Sequence, residues 1–245
     1  GVLIAIFGSG DTSSTTGVGI IFYIISVMYV ISIVLLLFLQ NKNLRSTYAK
    51  RGVFKDIGEG LKYITGKSVI LGLLIMSFVP LLFGMPVQFL LPVFNDVVLD
   101  RGPIGLGLLM TFMGVGALGG SLLLAYVGDT RRKGHILLGC IMGWALFLGL
   151  FGVSSNMVMA LVFLGAVGFF SSIFMSLNMT VIQLACIPEM RGRVMSIMMM
   201  SFGLMPEGVF PMSIMADSLG IANALLISAI GPGGLILLVS ILFPS

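Results

Sequence analysis

The feature that most limits this chain is the recurrence of apolar runs about twenty residues long. They fall at 18–40, 68–94, 104–127, 135–153, 157–186, 193–216 and 221–243, and residues 1–8 read as the tail of a further, truncated run. A run of this length matches the hydrocarbon thickness of a bilayer as a helix. The runs carry no polar stripe, which is the pattern of a membrane span and not of a surface helix. A barrel is excluded because its strands are shorter and alternate. With 58% hydrophobic and 9% charged residues, the chain lies far from a soluble domain, where about a quarter of residues are charged. The expected fold class is all-α, a polytopic helical membrane protein whose short connectors make successive helices antiparallel neighbours.

Charge fixes the orientation. If the spans alternate, one side receives the long polar segment 41–67 and the loops GDTRRKGH (128–135) and IPEMRGR (187–193). That side holds Lys42, Arg45, Lys50, Arg51, Lys55, Lys62, Lys67, Arg131, Arg132, Lys133, Arg191 and Arg193, so of the 13 basic residues only Arg101 lies opposite. The basic side is expected to be cytoplasmic, in a bacterial inner membrane. Topology thereby accounts for the net charge of +4, and nucleic acid is not an expected partner. The partners expected are the lipid bilayer, a small-molecule substrate and a coupling proton.

Little in the sequence suits catalysis, so no enzyme, cofactor or metal is expected. His135 is the single histidine, and no His, Cys or carboxylate set has ligand spacing. Cys140 and Cys186 sit in or beside apolar runs as small hydrophobes. Residues 114–119 spell GxGxxG, but inside a span, without the strand a dinucleotide site requires. Gly116 and Gly120 instead suit close helix–helix approach.

Polar residues within spans are the default functional candidates. Here they are Gln88, Asn178, Gln183 and above all Glu207, in the stretch GLMPEGVFP. Glu207 lies fourteen residues past Arg193, about 21 Å along a helix. Burial would favour its neutral form, and a carboxyl whose protonation follows which side is wet suits proton coupling. Pro206 and Pro211 offer a hinge, and Pro80, Pro86 and Pro92 interrupt 68–94. Broken spans mark transporter-like architecture. Asp129 with Arg131 and Arg132, and Glu189 with Arg191 and Arg193, place both signs on adjacent loops. They are expected to pair across the mouth of the bundle as a cytoplasmic gate.

Several stretches carry a resemblance that runs nearly end to end: DIGEGLKYI (56–64), QFLLPVFNDVVLDRGPIGLGLLMTFMGVGALGGSLL (88–123) and, most specifically, IPEMRGRVMS (187–196). The chain resembles the C-terminal half of a major facilitator superfamily transporter, in its siderophore- and drug-exporter-like branch of transmembrane secretion effectors. GDTRRKG sits where that superfamily repeats its loop motif G-x-x-x-D-R-x-G-R-R, with Asp129 at the acid and Thr130 where Arg is usual. The resemblance implies twelve helices in two halves, a central cavity and alternating access. It makes 1–40 the end of the N-terminal half, 41–67 the linker, and 68–245 the C-terminal six-helix domain of a longer protein whose N-terminal half is missing here. The function expected is proton-coupled export of a small amphipathic or drug-like compound. The alternative is a non-transporting receptor or scaffold that keeps the fold.

Overall fold

A computed structural model describes residues 15–38, 53–128 and 133–242. The truncated run at 1–8, part of the 41–67 segment, and Asp129, Arg131 and Arg132 lie outside the described residues. Helices account for nearly all of what is described, with no strand among the described residues. They are α1 (Thr15–Phe38), α2 (Val53–Thr65), α3 (Ser68–Val79), α4 (Met85–Phe94), α5 (Gly102–Val127), α6 (Lys133–Gly152), α7 (Met157–Ala185), α8 (Pro188–Ser201), α9 (Met205–Leu219) and α10 (Ile221–Leu242). Without water to satisfy backbone polar groups, a helix is the form an open apolar segment adopts in a bilayer.

Among the described residues five units are long and apolar enough to cross a membrane: Ser68–Leu99, Gly102–Val127, Lys133–Gly152, Met157–Ala185 and Pro188–Leu219. The first and last are each two helices joined end to end. A wide π turn at Pro80–Gly84 joins α3 to α4, and a second one, Asn95–Leu99, follows α4. Pro80 has no N–H to donate and its ring crowds the preceding turn, so the helix widens there. A tight 3₁₀ turn at Phe202–Leu204 joins α8 to α9, with Pro206 in the first turn of α9 and Pro211 within it.

Neighbour contacts run α5 on α7, α7 on α6, α6 on α10, α10 on α9 and α9 on α4, and α3 returns to α7. The core between them holds Phe94, Leu148, Phe151, Leu164 and Phe174, each buried, with the Phe94 and Phe151 rings 4.6 Å apart. Elsewhere large apolar side chains point outwards, from Phe22 to Phe38 on α1 and at Val115, Leu118, Leu122 and Tyr126 on α5. Apolar exposure this extensive belongs to a lipid-facing surface.

Helix ends follow local chemistry. Asn156 caps α7 by accepting a 2.9 Å bond from the Val158 amide. Gly220 alone connects α9 to α10 at φ +86°, a conformation that a side chain would strain. At the α4–α5 corner the Asn95 amide donates to the Gly102 carbonyl at 2.7 Å and to Asp96 at 3.1 Å.

Segment 41–67, expected as a polar linker, contains a packed helix. In α2 the residues Gly60 and Ile64 are buried while Lys55, Leu61 and Lys62 are exposed. The buried positions are four apart, so a single face meets the bundle. That face lies against α8, where a β-carbon on Gly60 would come within 2.8 Å of Ile197.

Candidate functional site

The break in the first long span organises its surroundings. Each residue of the turn after Leu81 meets a different neighbour. The Leu82 backbone lies against Gly208 of α9, the Phe83 ring against Gly231 of α10, and Gly84 over the Trp144 ring of α6. Small residues at these contacts let backbone and rings approach closely. The two broken spans therefore touch at their breaks, since Gly208 lies in the first turn after the 3₁₀ turn.

Below the break α3 is fastened to α7. Asn178 is fully buried and its amide nitrogen donates to Ser77 Oγ at 2.6 Å, while Ser77 donates to the Leu73 carbonyl at 3.0 Å. Asn178 Oδ1 is buried with no hydrogen-bond partner. Above the break α4 packs against α9 and α10 instead, and a cleft of about 260 Å³ opens between the first span, α5, α6 and α7.

Walls of this cleft are mostly apolar, including Pro80, Val87, Met113, Leu148 and Met175. The polar side chains among them are Gln88 on α4, Ser171 and Ser172 on α7, and the indole of Trp144 on α6. On α7 the lining positions Leu164, Gly168, Ser171 and Met175 follow steps of four, three and four, so they share one helical face. Asn178 continues that face three residues beyond Met175. None of the four polar groups makes a hydrogen bond among the described residues. Serines elsewhere in the spans do bond within their own helix, as Ser26, Ser201 and Ser213 do to carbonyls four residues back.

The four sequence candidates are not brought together. Gln88 lines the cleft, and Asn178 lies on the same face of α7, held by Ser77. Gln183 is in the last turn of α7, where its carbonyl accepts a 3.0 Å bond from Arg191 Nε. Glu207 is exposed in the first turn of α9, beside Gly208 and its contact with Leu82. Ser77, Trp144, Ser171 and Ser172 were not singled out in the sequence. The available signal was the seven-residue step from Ser171 to Asn178, two turns on one face.

At the basic end of the bundle, Arg193 makes the described ion pairs. Arg193 reaches back to the segment before the first long span. Its Nη2 is 2.8 Å from Asp56 Oδ1 and its Nη1 donates to Glu59 Oε2 at 2.6 Å. The Ile187 amide donates to Tyr63 Oη at 3.3 Å, so α2 holds the α7–α8 turn at two points. Glu189 is exposed and Arg191 is engaged by Gln183.

Gly116 and Gly120 of α5 lie directly on the Gly165 and Phe169 carbonyls of α7, and Gly168 lies on that of Met113. Among the described residues no group of three His, Cys, Asp or Glu could hold a metal ion.

The site is thus a bundle of apolar helices with two spans broken side by side and a cleft beside one break. The family model for transmembrane secretion effectors, of the major facilitator superfamily, matches residues 1–244. The chain belongs to that family. No curated protein and no solved structure matches it. This secretion effector is therefore a major facilitator transporter set in the membrane by its apolar helices.

Proposed function

We propose that this secretion effector exports a small amphipathic compound by alternating access, driven by a proton moving the other way, without converting its cargo chemically. The observation that carries the reading is the cleft beside the Pro80–Gly84 turn. It is an apolar recess with four unpartnered polar groups, the composition of a small-molecule site. In this reading the basic loops face the cytoplasm across a bacterial inner membrane. A preceding six-helix half supplies the opposite wall of the cavity, 41–67 links the two halves, and 68–245 is the C-terminal domain.

Glu207 is the proposed proton carrier. It sits at the contact between the two broken spans, so a change in how they pack changes its surroundings. Arg193 with Asp56 and Glu59 is the proposed cytoplasmic latch, present in one packing and parted in the other. Asp129, Arg131, Arg132, Glu189 and Arg191 are proposed to complete it.

Flux in proteoliposomes with an imposed pH gradient tests the proposal. The wild-type transporter is expected to move a cationic or neutral dye against its gradient and to dissipate the pH gradient as it does so. Glu207→Gln should abolish the dependence on the pH gradient while downhill exchange persists. Proton-driven transport that survives Glu207→Gln unchanged refutes the carrier role. No flux under any gradient refutes transport and leaves the fold as a receptor or scaffold.

A further inference from the structure

The cleft also bears on which part of a cargo it takes. We infer that it binds an uncharged ring or short hydrocarbon group carrying one hydroxyl or carbonyl, and rejects the same group when it carries a formal charge. This rests on the reading of the cleft as a cargo site and deepens it.

Three observations support the inference. Among the described residues no ionisable side chain lines the cleft, so a charged head there would lose its hydration and gain no counter-ion. The polar groups available are neutral and favour donation: the indole N–H of Trp144, the amide of Gln88, and the hydroxyls of Ser171 and Ser172. A hydroxyl or carbonyl oxygen can accept from these, and an ammonium finds only the neutral oxygens of Gln88 and the serines. Finally, a volume of about 260 Å³ falls below the roughly 300–1,000 Å³ of sites that enclose a whole drug-sized ligand. The cleft therefore takes one end of a molecule, beside Trp144, Met113 and Met175, which line it.

Glu207 does not alter this. Its neighbour Gly208 meets the backbone of Leu82, and Leu82 is not part of the cleft wall. Any charge on the cargo would be handled outside the cleft.

Trp144 is the single tryptophan of the sequence, and the share of the quenching that Trp144→Phe removes reports binding here. The probes are 4-bromobenzyl alcohol, 4-bromobenzoate and 4-bromobenzylammonium at neutral pH, which share a ring and a quenching bromine and differ in charge. The alcohol is expected to quench Trp144 saturably, and the two ions to need at least about tenfold more, a difference of roughly 1.4 kcal/mol. Combined Gln88→Leu, Ser171→Ala and Ser172→Ala changes should raise the half-quenching concentration of the alcohol several-fold and leave the ions where they were. Partition into detergent affects wild type and variant alike, so the comparison between them isolates the site. If the triple variant does not fold, the single variants Gln88→Leu and Ser171→Ala take its place, each compared with the wild type in the same detergent. Equal quenching by all three probes, or none by any, overturns the inference. Equal quenching with transport intact rejects only the inferred cargo class. Selective quenching in a protein that moves nothing rejects transport and keeps the binding class.

Discussion

Arg193 donates a 2.6 Å hydrogen bond to Glu59, tying the helix that precedes the first long span to the start of the last. Asp56, one turn before Glu59, takes the other guanidinium nitrogen at 2.8 Å. Gly60 allows this by letting α2 approach until a β-carbon there would be 3.4 Å from that of Arg193. The side chains are 18% exposed for Arg193, 32% for Glu59 and 38% for Asp56. Water thus screens the pairs, and their worth is nearer that of surface ion pairs, about 1 kcal/mol, than that of buried ones. Arg193→Gln is expected to lower the melting temperature by about 2–4 °C, the shift 1 kcal/mol produces in a domain of this size. The exchange Arg193→Glu with Glu59→Arg should recover part of the loss, and molar salt should shrink the difference. Unchanged melting in Arg193→Gln at low salt would remove the pairs as a fastening.

The Ser77–Asn178 bond is of another kind, because Asn178 is 0% exposed and already has an unpartnered Oδ1. Removing the serine hydroxyl leaves the whole amide without a partner in an apolar setting. Between membrane helices such bonds are worth about 0.6 kcal/mol on average and at most about 1.7. Ser77→Ala is expected to cost an amount in that range, and Asn178→Leu added to it to recover stability, since the stranded amide is then gone. A double-mutant cycle in detergent checks this through the sign of the coupling. Strict additivity would mean the two side chains do not act together.

Spans were legible in the sequence because the bilayer leaves an open apolar segment few alternatives to a helix. The run at 157–186 and the helix Met157–Ala185 nearly coincide. The docking of α2 was less visible, since its charges suggested a loop while Ile57, Gly60 and Ile64 recur at helical spacing. Basic loops were found by counting, but a count cannot say that Arg193 answers to Asp56 rather than to a neighbouring loop. That depends on how α2 packs. Cleft serines were hidden for a related reason. A serine in a span ordinarily bonds a carbonyl of its own helix, as Ser77 does, and nothing local shows that Ser171 and Ser172 do not. Gln88 and Asn178 stood out because an amide in an apolar run is costly wherever it lies.

Gly116 should be the least replaceable glycine tested on α5. Any β-carbon there would overlap the Gly165 carbonyl, and backbone cannot step aside as a side chain can. Gly116→Ala is expected to cost about 1–3 kcal/mol by overpacking, read as a fall in melting temperature. Gly139 of α6 has nothing within 4 Å of its β-carbon position. Gly139→Ala should therefore be neutral or stabilising by up to about 1 kcal/mol, as expected for alanine in a helix interior. Equal responses at the two sites would contradict the close α5–α7 contact.

Cys186 gives the basic end a pH signature. Burial pushes its thiol upward, and the charge of Arg191 pulls it partly back. The thiolate is the reactive form, so at neutral pH Cys186 should alkylate more slowly than an exposed cysteine, whose pKa is about 8.5. A raised pKa means the thiolate fraction of Cys186 flattens at a higher pH than that of an ordinary thiol. In a Cys140→Ser background, the rate with a small maleimide should keep rising with pH beyond the point where that of an exposed cysteine flattens. Arg191→Gln removes the opposing charge and should slow the reaction further at any one pH. A rate that flattens together with that of an exposed cysteine would mean the thiol is unperturbed. Faster labelling of Arg191→Gln would mean that the Arg191–Gln183 bond guards access to Cys186 more than Arg191 tunes its proton.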